Sequence, residues 1–169
     1  MAAGSTYTPI ATTTVGTATS SVVFSSIAGT YTDLVISYEC FTTAGGARDV
    51  AVRFNSDTGS NYSSTFLSGN GTSAVSARES SQTRMMVDYS GVSTTVNTAG
   101  IGLLNIMNYS NTTTHKTVLS RCSAGAAGVD ESVGLWGSTA AITSITFDIP
   151  STQTFSTGSR FTLYGIKAA

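Results

Sequence analysis

Apolar and polar residues alternate along this chain in short bursts. The last of these, "RFTLYGI" (160–166), sets Phe161, Leu163 and Gly165 against Thr162, Tyr164 and Ile166. A period of two over so many positions predicts a β-strand. Similar bursts recur at "SVVFSSI" (21–27), "TDLVISYECF" (32–41), "DVAVRF" (49–54), "NYSSTFL" (61–67), "TRMMVDY" (83–89), within 99–109, "HKTVLSRC" (115–122), "ESVGLW" (131–136) and "ITSITFDI" (142–149). In the second of them, Leu34, Ile36, Tyr38 and Cys40 fall on one face, with Val35 and Phe41 on the other. Clusters of Gly, Asn, Asp and Ser separate the bursts, and no stretch keeps a helical period over eleven residues. About ten antiparallel strands in one domain spanning 1–169 point to an all-β fold, a jelly-roll-like sandwich. The Cys–Trp–Cys spacing of an immunoglobulin-type domain is absent.

A closing strand with apolar residues on both faces is expected to lie inside a sheet, because an unpaired terminus frays. The Thr-rich opening, 1–20, is expected to form either an extended arm or an edge strand. Pro9 limits it to one of these, since proline cannot donate to a ladder.

Composition sharpens this picture. Charged residues are only 10% of the chain, against about 25% in ordinary soluble domains, and Ser and Thr make up about a third. A surface built mainly of hydroxyls, amides and glycine is therefore expected. The net charge of −1 and the scattered basic residues, from Arg48 to Lys167, give no field for nucleic acid or anionic lipid. No signal peptide opens the chain and no apolar run is long enough to cross a bilayer, so a soluble cytoplasmic product is expected. Cys40 and Cys122 read as buried thiols.

Candidate chemistry is sparse. His115 is the single histidine and lacks the Gly-x-Ser-x-Gly context of a hydrolase elbow. The carboxylates Asp33, Glu39, Asp49, Asp57, Glu79, Asp88, Asp130, Glu131 and Asp148 give no paired pattern that sequence can place across a cleft. In "NSDTGSNY", Asn55, Asp57, Gly59 and Asn61 alternate like the first ligands of a calcium loop, but the twelfth position is Phe66 where glutamate is required. Asn and Asp also build turns, and a turn is the expectation here. Trp136 is expected in the core beside Val133 or Leu135. No catalytic, cofactor-binding or metal-binding residue is assigned, and enzymatic activity is not expected.

Four stretches carry a resemblance: "YTPIATTTVGTATSSVVFSSIAGTYTDLVISY" (7–38), "VRFNSDTGSNYSSTFLSGNG" (52–71), "MNYSNTTTHKTVLSR" (107–121) and "STAAITSITFDIPSTQTFSTGSRFTLYGIKA" (138–168). Together they resemble a group of small virion structural proteins of tailed bacteriophages, most specifically through "RFN-D-GSNY" and the terminal "GS-FTLYGI". The resemblance implies a virion component with a jelly-roll-like fold and brings no catalytic residues. It does not fix a position on the particle; the expected role is a capsid decoration, or cement, protein whose partner is the major capsid protein of the head. A homotrimer is expected on the threefold sites of the shell. The alternative is a tail-fibre or receptor-binding tip that grips host glycans. A lectin-like module is disfavoured by the shortage of aromatic residues.

Overall fold

β-Branched and aromatic residues dominate the alternating stretches, and in a computed structural model they form strands throughout. The structure describes residues 6–43, 48–92, 98–124 and 127–167, and there is no helix among them. The strands are β1 (Tyr7–Thr14), β2 (Ser21–Phe24), β3 (Asp33–Cys40), β4 (Arg48–Phe54), β5 (Tyr62–Gly69), β6 (Ala74–Gln82), β7 (Met85–Val92), β8 (Gly100–Ile106), β9 (Lys116–Ala124), β10 (Gly128–Trp136), β11 (Ile145–Asp148) and β12 (Arg160–Ile166). Eight make a large sheet in the order β1-β12-β3-β8-β9-β10-β5-β6, and four make a small one, β2-β11-β4-β7. All neighbours are antiparallel. From β2 onward the chain steps between the two layers at seven of its ten connections and stays in the large sheet at β5–β6, β8–β9 and β9–β10, giving a β-sandwich.

The core lies between the sheets. Phe161 sits at one end, its ring 5.7 Å from Tyr38, 5.2 Å from Phe147 and 5.1 Å from Phe155. Leu34, Ile36, Leu104, Ile106, Val50, Val52 and Ile145 fill the middle, all without solvent exposure. Phe54, Tyr62 and Trp136 close the other end, with Trp136 5.5 Å from Phe54 and stacked at 6.4 Å on Tyr62.

The closing strand is held on both sides: β12 pairs with β1 and with β3 over its whole length. The opening segment forms β1, the edge strand, whose register breaks between Pro9 and Ala11. Two expected strands are shorter than their apolar runs. β2 stops at Phe24 because Ser26 takes φ 56°, and β11 starts only at Ile145 because residues before it bond to Asn55. β6 has no counterpart in the sequence reading, since nearly all of its residues are exposed.

The free edge of β7 faces the large sheet and would leave backbone groups without a strand partner. Side chains take that role. Ser64 donates to the Met86 carbonyl at 3.3 Å, and Ser120 and Cys122 donate to the Val87 carbonyl at 2.9 Å each. Asp130 accepts the Tyr89 amide at 2.6 Å, and Ser132 bonds Ser120 at 2.5 Å. These residues are buried; Ser64, Ser120, Cys122 and Asp130 each supply a polar atom to the β7 backbone, and Ser132 bonds the Ser120 hydroxyl. Tyr38 completes the network. Its directly opposite neighbour on β8 is Gly102, so its ring crosses that bare position and its hydroxyl reaches Cys122 Sγ at 3.0 Å.

Candidate interaction surface

The Asn55–Tyr62 segment is a clasp. Asn55 and Ser56 both take positive φ (52° and 57°), which turns the chain sharply after β4. The Asn55 side chain then points away from Asp57. Its oxygen accepts the Thr143 and Ser144 amides at 2.8 and 3.1 Å, and its nitrogen donates to the Ala141 carbonyl at 2.7 Å. Asp57 accepts Trp136 Nε1–H at 2.7 Å, the Asn61 amide at 2.9 Å and the Gly59 N–H at 2.8 Å. Of the four residues that alternate like calcium ligands, Asn55 thus turns away, while Gly59 and Asn61 donate to Asp57 and close the turn on itself. The turn expectation holds, and among the described residues no three of His, Cys, Asp and Glu gather as a metal site.

The hydrogen bond from Trp136, joined by that from Asn61, holds the Asp57 carboxyl below its usual pKa. A group depressed on folding stabilises fully above its unfolded pKa of about 4 and loses that contribution as pH falls through the folded value. Melting temperature is accordingly expected to fall more steeply below about pH 4 in the wild type than in Asp57→Asn. A calorimetric pH series on both proteins measures this, and parallel curves would remove the clasp from acid unfolding.

Trp136 is buried as expected, but not beside Val133 or Leu135. Alternation along β10 sends those two to the opposite, outer face, and the tryptophan meets Phe54 and Tyr62 instead. His115 is exposed at the end of the β8–β9 connection, and no serine or carboxylate hydrogen-bonds to it among the described residues.

The carboxylates are dispersed. Asp148 pairs with Arg53 and Arg84, Glu39 with Arg160 at 3.8 Å and Glu131 with Arg121 at 3.3 Å, and Asp33 accepts the Asn108 amide at 2.6 Å. Glu79 accepts the Tyr89 hydroxyl at 3.3 Å, while Asp88 is buried near the two thiols.

Both cysteines are free and buried. Burial, reinforced by the nearby Asp88, pushes the Cys122 thiol up to about 12 and Cys40 well above its usual range. Neither cysteine is expected to react with a thiol reagent at pH 8 in the folded protein, and both should react in denaturant. Rapid native labelling of either would show that the core opens.

The outer face of the large sheet departs from the hydroxyl-rich surface that composition suggests. Leu67 on β5, Ile101 and Leu103 on β8, Leu119 on β9, and Val129, Val133 and Leu135 on β10 are all exposed there. On β10 the polarity is inverted: Asp130, Ser132 and Gly134 point inward while Val129, Val133 and Leu135 point to solvent. Seven exposed aliphatic side chains, interspersed with Ser, Thr, Asn and the Arg121–Glu131 pair, thus share one face of four adjacent strands, a concentration that points to a contact surface. Beside it, a hollow of about 560 Å³ lies over β1, β12 and β3, lined by Thr12, Ser37, Thr162, Tyr164, Glu39 and Arg160.

A scan against protein-family models finds no match, and a search of curated proteins finds no similar chain.

Proposed function

We propose that this chain is a non-enzymatic structural protein of a tailed-phage virion, a decoration protein that braces the assembled head. One observation supports it most: the aliphatic outer face of β5, β8, β9 and β10, carried on a rigid sandwich. Such a face adheres to protein, and the interior polar groups are spent on holding β7 in place. The partner in this reading is the major capsid protein. Repeated copies on a symmetric shell turn weak single contacts into lasting attachment. With one ion pair in the aliphatic surface, attachment would vary little with salt.

The second reading, a receptor-binding tip, draws on the hollow beside it. Tyr164 offers a ring edge, and Glu39, Arg160 and three hydroxyls offer donors and acceptors of the kind that grip a glycan. Imaging the intact particle separates the two. Many copies at symmetric positions on the head are expected; a few copies confined to the tail would overturn decoration in favour of the tip.

A further inference from the structure

Strand register makes the outer face a grid. One row runs Leu103, Arg121, Glu131, Leu67 across β8, β9, β10 and β5, and the next runs Asn105, Leu119, Val133, Thr65. Arg121 and Glu131 stand directly opposite one another at 3.3 Å, with side-chain exposures of 73% and 66%. The first row therefore reads aliphatic, positive, negative, aliphatic. Turned over about an axis along the strands between β9 and β10, it becomes its own complement. Arg121 then lies over the partner's Glu131, Leu103 over the partner's Leu67, and Leu119 over the partner's Val133.

We propose that two copies of this chain pair face to face through this surface about a twofold axis, in place of the homotrimer expected from the resemblance. This rests on reading the face as a protein-contact surface: a second copy holds it in the free protein, and the capsid protein would displace that copy on the head. The four charges form a square of alternating sign at the centre, so each Arg121 meets two glutamates and no charge is buried alone. Aliphatic side chains surround the square and exclude water from it. A partner with charge of one sign would leave either Arg121 or Glu131 facing its like, which disfavours it.

The axis between β9 and β10 leaves β1 and β12 outside the overlap, so six strands about 4.8 Å apart and about seven residues long meet over roughly 700 Å². That lies at the low end of the roughly 600–1,000 Å² per partner that specific interfaces bury. Two sheets packed face to face are aligned within about 30°, which a slightly inclined twofold axis supplies.

Sedimentation equilibrium of the full chain at tens of micromolar tests this. A mass twice the 17.3 kDa of one chain is expected. Arg121→Glu sets four negative charges at the centre and Glu131→Arg sets four positive ones. Each variant alone should dimerise at least ~100-fold more weakly. An equimolar mixture of the two variants should form a heterodimer about as tight as the wild type, and the double exchange R121E/E131R should pair again. Both residues are exposed in the single chain, so circular dichroism of each variant should match the wild type. A wild-type mass of one or three chains, single variants that pair like the wild type, or a mixture that stays monomeric would each overturn the pairing. Binding of the same proteins to heads lacking them is scored separately. Pairing without head binding sinks only the virion reading, and head binding by a monomeric wild type sinks only the pairing.

Discussion

Removing the chain from Arg160 onward is expected to abolish folding. β12 lies between β1 and β3, so its loss breaks two ladders and detaches the edge strand. Phe161 and Leu163 are fully buried, and Phe161 joins Tyr38, Phe147 and Phe155 into one aromatic cluster. Losing a core phenylalanine costs about 3–5 kcal/mol and a core leucine about 2–5 kcal/mol. The ladder hydrogen bonds, at about 1 kcal/mol each, add several more. A domain of this size has only about 5–15 kcal/mol in total. The truncated chain should be insoluble, or show no dispersed methyl and amide resonances by NMR. A matched control deletes residues through Thr14. None of the side chains of β1 is fully buried, so that protein should stay folded with a lower melting temperature. A cooperative melt from the chain ending at Ser159 would show that the aromatic cluster does not depend on its last strand.

The second large effect is expected at Gly102. A Cβ there would fall inside the ring of Tyr38, which lies between β3 and β9 with its hydroxyl on Cys122. The ring has little room to move, because Phe161 stacks against it and Phe147 meets it edge-on. Gly102→Ala should cost about 3 kcal/mol, at the upper end for overpacking. That corresponds to about 6–12 °C in melting temperature. Gly134→Ala is the comparison. Its new Cβ meets the thioether of Met85, a flexible side chain, and should cost well under half as much. Combining Gly102→Ala with Tyr38→Ala should cost less than the two single changes summed, because one removes what the other collides with. Simple additivity in thermal denaturation would mean that the ring is not what reads the glycine.

The strands that cross the core announce themselves in sequence. β3 and β12 carry mostly aliphatic or aromatic side chains at their inward positions (Leu34, Ile36, Tyr38, Phe161 and Leu163), and alternation placed both strands correctly. β9 and β10 were also placed as strands, but which face of β10 lies inside resists such reading. On β10 the set Val129, Val133, Leu135 is more apolar than Asp130, Ser132, Gly134, yet the second set is inside. Polarity there answers to the backbone of β7, a partner far along the chain that no local pattern names. This is why Trp136 was expected among neighbours that turn out to lie on the other face. β6 was invisible for the opposite reason: with almost no buried side chain it follows neither period. The Asn55–Asn61 turn was legible because Asn, Asp and Gly at those positions have a local mechanism, whereas Asp57 and Trp136 are 79 positions apart in sequence.

An even number of antiparallel strands leaves the two rims of the large sheet, β1 and β6, running in opposite directions. Copies shifted sideways would thus bring rim to rim in the very sense that strand pairing favours, a recipe for endless ribbons. Proline at position 9 and the slip after it spoil one rim. Arg78 and Glu79, the slip between Tyr62 and Ser64, and the left-handed turn at Ser81 spoil the other. In a molecule this rich in sheet and poor in charge, these few irregularities are what oppose edge-to-edge growth.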